Sequence, residues 1–175
     1  IQKLPLRVAI DKAKKVASKG DVLNEQGTPE RSTEANVQRS KPKTVVLLHG
    51  YLEDLYIFDT LTSMLNEKGL DVVRLDLPGH GLSMGNLPMT TMAFSSLSIK
   101  LALEKLGIEK VFIAGHSMGG YVAQQIVKDW MNEPSQWKFS IKGLVLLNSV
   151  PFSDPEEKKA AREHEIELIR QDMLE

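Results

Sequence analysis

The stretch Val111-Phe-Ile-Ala-Gly-His-Ser-Met-Gly-Gly120 decides how the rest of the chain is read. An apolar run from Val111 to Ala114 leads directly into Gly115-His116-Ser117-Met118-Gly119-Gly120. Residues 118–131 then place Val122, Ala123, Ile126, Val127 and Trp130 on one helical face. This pattern predicts a buried strand that reverses tightly into an amphipathic helix, with Ser117 at the corner. So tight a turn forces Ser117 into a strained backbone conformation. Side chains two residues to either side would collide, which accounts for Gly115 and Gly119. The corner lifts the hydroxyl clear of the sheet, at the carboxyl ends of the strands. The unpaired N–H groups of the following helix then lie beneath any negative charge formed there.

Working outward, Thr44-Val-Val-Leu-Leu-His49 is a short apolar run ended by Gly50, as expected for a strand buried on both faces. Tyr56 to Lys68 has a helical apolar spacing and is closed by Gly69. Leu70-Asp-Val-Val-Arg-Leu-Asp76 is a second strand, followed by a long loop over residues 77–90. A helix follows from Thr91 to Leu106, and after the Val111 strand and its helix, Ile141 to Val150 holds a fourth strand. Pro155 to Leu174 is a charged helix opened by Asp154 as N-cap. Strand and helix alternate, which implies a parallel sheet with helices on both faces, joined by right-handed crossovers.

Residues 1–43 differ in character: ten Lys/Arg against five Asp/Glu leave a local charge of +5, and the remainder carries −6. Leu6, Ala9, Ile10, Ala13, Val16 and Ala17 recur at three to four residues among lysines, which predicts a short basic amphipathic helix. Lys19 to Lys43 is polar and punctuated by Gly and Pro, the composition of a linker. The chain thus divides into a basic helix and linker (1–43), an α/β core (44–150) and a further helical segment (151–175).

Composition narrows the function classes. The 175 residues suffice for a single domain with its own core. With no cysteine there is no disulfide framework, thiolate nucleophile or cysteine-ligated metal. The four histidines are scattered, and Gly115 to Gly120 lacks the Lys-Ser/Thr ending of a phosphate loop, so neither metal nor cofactor is expected. A net charge of −1 gives no reason to expect nucleic acid as a partner. No purely apolar run exceeds that of Val45 to Leu48, far short of a membrane span, and a cytoplasmic location is the expectation.

Two further features belong to the same end of the predicted sheet. His49-Gly50-Tyr51 ends the first strand, and the Tyr51 N–H can join that of Met118 to receive an oxyanion, Gly50 leaving room for the approach. Asp76-Leu-Pro-Gly-His-Gly-Leu-Ser83 follows the second strand. Its two central glycines and proline describe a shaped loop in which His80 bonds its own backbone. Met84, Met89 and Met92 beside it suit either a substrate wall or plain packing.

With these motifs in this order, the chain from about Thr44 resembles the α/β-hydrolase fold superfamily, specifically its small serine hydrolases with a helical cap. The resemblance implies an incomplete α/β-hydrolase fold whose last segment, 151–175, starts the cap. It also implies a nucleophilic Ser117, an oxyanion hole from the Tyr51 and Met118 amides, and acyl transfer from a small-molecule ester, thioester or related carbonyl compound. A serine at the corner argues against the haloalkane dehalogenase and epoxide hydrolase branches, which need a carboxylate there. The antiparallel hairpin with which members usually begin is not legible in residues 1–43.

A serine needs a base and an orienting acid, which in this family follow the nucleophile in the chain. Only His164 follows, in the charged stretch Glu163-His-Glu-Ile-Glu167, where it reads as a solvated helix residue; Asp154 is a minority candidate for the acid. The sequence therefore suggests a chain cut before its catalytic acid and histidine, nearly inactive by itself. It would leave the fourth strand as an uncovered apolar edge prone to aggregation. The alternatives are a non-catalytic binding protein of the same fold, and a lyase or carbon–carbon hydrolase using the same serine. The sequence does not indicate an oligomeric state.

Overall fold

The computed structural model describes residues 6–14, 43–84 and 90–172. Its centre is a five-stranded sheet in the order β1-β3-β2-β4-β5, built from β1 (Val8–Asp11), β2 (Thr44–Leu48), β3 (Asp71–Leu75), β4 (Lys110–His116) and β5 (Ser140–Leu147). β3, β2, β4 and β5 run parallel, in agreement with the alternating pattern, whereas β1 pairs antiparallel with β3. The sheet is therefore mixed.

The period-two geometry of a strand divides the core. Val46 and Leu48 of β2 face one side with Val73 and Leu75, against Ile99 and Leu103 of α2 (Met92–Lys105) and Val122, Ala123 and Ile126 of α3 (Met118–Asn132). Leu47 and Val72 face the other side, packed with Phe58 and with Leu61 and Leu65 of α1 (Asp59–Glu67). β3 is buried along its whole length, which explains its unbroken Val-Val core. Thr91 caps α2, its hydroxyl accepting the Phe94 N–H at 3.1 Å. Leu55–Phe58 forms a 3-10 turn that leads into α1, so the helix proper starts later than its apolar spacing suggests. α4 (Glu156–Asp172) is the final element, with exposed side chains from Glu156 to Leu168.

The basic helix expected at residues 6–17 is corrected over its described part: residues 8–11 are a strand. The physical cause lies on β3. Ala13 N–H and the Lys12 ammonium both reach Asp71, each at 2.9 Å. Arg74 Nε meets Asp11 at 3.0 Å, and the Arg7 carbonyl accepts the Asp76 N–H at 3.1 Å. Paired backbone and complementary charges across the ladder override a weak helical period of only a few turns. The remainder of that expected helix, residues 15–17, and the linker from 19 to 42 lie outside the described residues.

β5 forms the far edge, with β4 as its only neighbour in the sheet among the described residues. Leu144 and Val145 are 38% and 46% exposed there. Such an edge offers unpaired N–H and C=O groups beside apolar side chains, a template for pairing between copies. Val145→Lys, which adds a charge to this edge, is expected to raise the monomeric fraction of the 175-residue chain in size-exclusion chromatography with light scattering. An unchanged profile would show that β5 does not drive self-association.

Candidate active site

Ser117 occupies the turn between β4 and α3 with φ 49° and ψ −115°, a left-handed conformation that a non-glycine residue enters at a cost of about 1–3 kcal/mol. Two backbone bonds hold it there: Ser117 N–H donates to Leu147 of β5 and Gly120 N–H donates to the Ser117 carbonyl, both at 3.0 Å. The residue is half-buried.

Both glycines singled out by sequence stand where a side chain has no room. A Cβ on Gly115 would lie 2.2 Å from the Gly119 carbonyl oxygen, inside the turn itself. A Cβ on Gly119 would lie 2.2 Å from the Leu48 oxygen and 2.5 Å from that of His49. The second glycine is thus required by the end of β2 rather than by Gly115, four residues before it. Gly120 is equally constrained, with the Ser149 hydroxyl 2.2 Å from its notional Cβ, a role the motif alone did not reveal.

The loop after β2 reaches the same corner. A Cβ on Gly50 would be 3.2 Å from Ser117 Cβ, so Tyr51 begins directly beside the serine. Met118 is the first residue of α3. Among the described residues, neither the Tyr51 N–H nor the Met118 N–H donates a hydrogen bond.

Three polar side chains, two of them fully buried, shape these loops. His49 is fully buried, and its Nε2 accepts the Leu77 N–H at 2.8 Å. That bond requires an unprotonated Nε2, so the proton sits on Nδ1 and is donated to the Gly50 carbonyl at 2.8 Å. Burial holds the His49 pKa below its ordinary value. Asp76, also fully buried, accepts Leu55 N–H at 2.9 Å and Leu82 N–H at 2.8 Å and faces Arg7 at 3.5 Å. A Cβ on Gly81 would fall 2.3 Å from its carboxylate, and Gly81 has φ 52°, so the glycine lets the loop fold over the acid. Glu53 accepts the Gly50 N–H at 2.6 Å and faces His116 Nδ1 at 3.0 Å. Sequence reading gave neither Asp76 nor Glu53 a role; the only available signal was an acid close behind each strand end.

The remaining candidates stand apart. His80 Nδ1 faces the Pro78 carbonyl at 3.3 Å, and its ring meets those of His49 and Tyr51 edge-on. His164 is exposed on α4. Asp154 accepts the Tyr121 hydroxyl at 2.6 Å and pairs with Lys158 and Arg162 at 3.2 and 2.7 Å. The Tyr121 bond, aided by those cations, holds its carboxyl below the usual range. Met84 is exposed, while Met89 lies outside the described residues.

A largely parallel sheet, a strained serine at a strand–helix corner and a second strand end pressed against it form the strand–turn–helix context expected around a G-x-S-x-G motif. The model of the alpha/beta hydrolase fold family matches residues 43–165, and the chain belongs to that family. It is 38% identical over 116 residues to the dihydrolipoyllysine-residue acetyltransferase component of the acetoin cleaving system of Cupriavidus necator, covering 64% of this chain and 28% of that protein. A putative non-heme haloperoxidase of Mycobacterium phage D29 is 34% identical over 84 residues, covering 47% and 30% respectively. The solved structure of a thermophilic esterase from Thermogutta terrifontis superposes with a TM-score of 0.67 at 21% identity, covering 94% of this chain and 48% of that one. The chain spans less than a third of the length of these two curated relatives.

Two outcomes follow from this geometry. Gly119→Ala is expected to destabilise the fold by roughly 3 kcal/mol in urea titration, since a backbone carbonyl rather than a flexible side chain must move. His49 is neutral in the fold, with a pKa depressed from 6.5, so the unfolded chain takes up a second ring proton first as pH falls. Stability is therefore complete above about 6.5 and declines below it toward the folded pKa, by at most about 1.4 kcal/mol per pH unit. Thermal melts from pH 7.5 to 5 should show this slope, and His49→Asn should flatten it.

Proposed function

We propose that this chain carries the nucleophile half of a serine hydrolase acting on a small ester, thioester or related carbonyl compound through an acyl-enzyme at Ser117. The reading rests on one observation: Ser117 sits strained at the corner with the end of β2 against it and two unengaged amides, Tyr51 and Met118, at hand. In the proposed reaction the Ser117 hydroxyl attacks the carbonyl carbon, the oxygen becomes an oxyanion, and both amides donate to it. Collapse of the tetrahedral species expels the leaving group and leaves the acyl-enzyme, which water then hydrolyses. The esterase and acyl-transferase names among the similar proteins agree with chemistry at a carbonyl.

The attack needs a base, and among the described residues no histidine hydrogen-bonds the Ser117 hydroxyl. His49 uses both ring nitrogens, His80 and His116 use Nδ1, and His164 is exposed on α4. Asp154 is held by Tyr121, Lys158 and Arg162. In this reading the base and its acid come from chain outside these 175 residues. The 175-residue piece alone is then a poor catalyst, left with a residual enhancement on the order of 10³ from oxyanion stabilisation and binding.

The test is labelling of the complete protein with a fluorophosphonate probe and mapping of the adduct. Label on Ser117, lost in Ser117→Ala, is the expected result. Undiminished labelling of Ser117→Ala would refute the assignment.

A further inference from the structure

A Cβ on Gly50 would crowd this corner, lying 2.8 Å from Glu53 Oε2 and 3.2 Å from Ser117 Cβ. Glycine is also the residue with the greatest backbone freedom. A donor following directly after it, the Tyr51 N–H, would swing unless Gly50 were held from outside. Both polar groups of Gly50 are in fact held by side chains. His49 Nδ1–H takes its carbonyl, and Glu53 takes its N–H. Leu52, at φ 58°, turns the loop back so that Glu53 can reach.

Glu53 does more than close its own loop. The same oxygen, Oε2, that accepts the Gly50 N–H at 2.6 Å also faces His116 Nδ1 at 3.0 Å. His116 is the last residue of β4, immediately before Ser117 and two before Met118. One carboxylate oxygen thus links the two strand ends that supply the two amides. The Glu53 and His116 side chains are 29% and 28% exposed, enough shielding for the pair to hold a defined geometry.

We propose that Glu53 is a positioning residue that fixes the spacing between the Tyr51 and Met118 amides by tying Gly50 to His116. The proposal rests on the reading that these two amides receive the oxyanion. Because both bonds converge on a single oxygen, a carboxamide, which retains one carbonyl oxygen, can replace the carboxylate. A methyl group cannot, and neither can the shorter aspartate.

The experiment uses the complete protein, with turnover of short p-nitrophenyl esters and fluorophosphonate labelling of Ser117 measured on the same samples. Glu53→Ala is expected to lower kcat by roughly ten- to a hundredfold with KM within about threefold, since displacing a donor costs no more than removing it. Glu53→Gln should stay within about threefold of wild type in kcat. If Glu53→Ala shows no melting transition, Glu53→Asp carries the same expected loss. Wild-type turnover in Glu53→Ala, with Ser117 still labelled, would overturn the positioning role and leave the serine reading intact. Loss in Glu53→Gln equal to that in Glu53→Ala would also overturn it. Failure of wild type to label at Ser117 would sink both readings together.

Discussion

The end of β2 and the first turn of α3 approach so closely that no atom beyond hydrogen fits between them. The Leu48 and His49 carbonyls lie 2.2 and 2.5 Å from where a Cβ on Gly119 would be, and the Gly119 carbonyl lies 2.2 Å from that of Gly115. This contact sets the helix hard against the sheet, and the sharpness of the turn follows from it. Ser117 then has no relaxed conformation available and is held at positive φ by its bonds to Leu147 and Gly120. Strain at one residue is small against the burial of Val122, Ala123 and Ile126 that the same docking secures.

Around that contact, the loops at the carboxyl ends of the strands are organised by side chains that accept or donate backbone bonds. Asp76 gathers the start of the 3-10 turn, the loop after β3 and the residue before β1; His49 bridges Leu77 and Gly50. A buried carboxylate left unpaired would be costly, and three donors offset its lost hydration. Irregular backbone can therefore be rigid here without belonging to a helix or a sheet.

Much of this was legible in sequence for a physical reason. Strands buried on both faces are built around apolar runs, so Val45–Leu48, Val72–Val73 and Val111–Ala114 announced themselves, and glycines marked where helices stop. The corner was legible because its steric demand falls on residue types that sequence displays directly. β1 was not: it is half-exposed, only four residues long, and chosen by Asp71, Arg74 and Asp76, which lie some sixty positions away along the chain. Glu53 was equally hidden, since its reach depends on the left-handed turn at Leu52, a residue type that gives no hint of positive φ.

The junction at Asp154 has a mechanical corollary. Tyr121 on α3, with Lys158 and Arg162 on α4, converges on that one carboxylate, so the root of the last helix is riveted to the helix that starts at the serine corner. Seventeen residues extend outward from this rivet, a rod of about 25 Å. A tilt of about ten degrees around its root would carry the tip through about 4 Å while the root stays in register with α3. Whatever rests on the outer end of that rod is referenced, through a single acid, to the corner that holds Ser117.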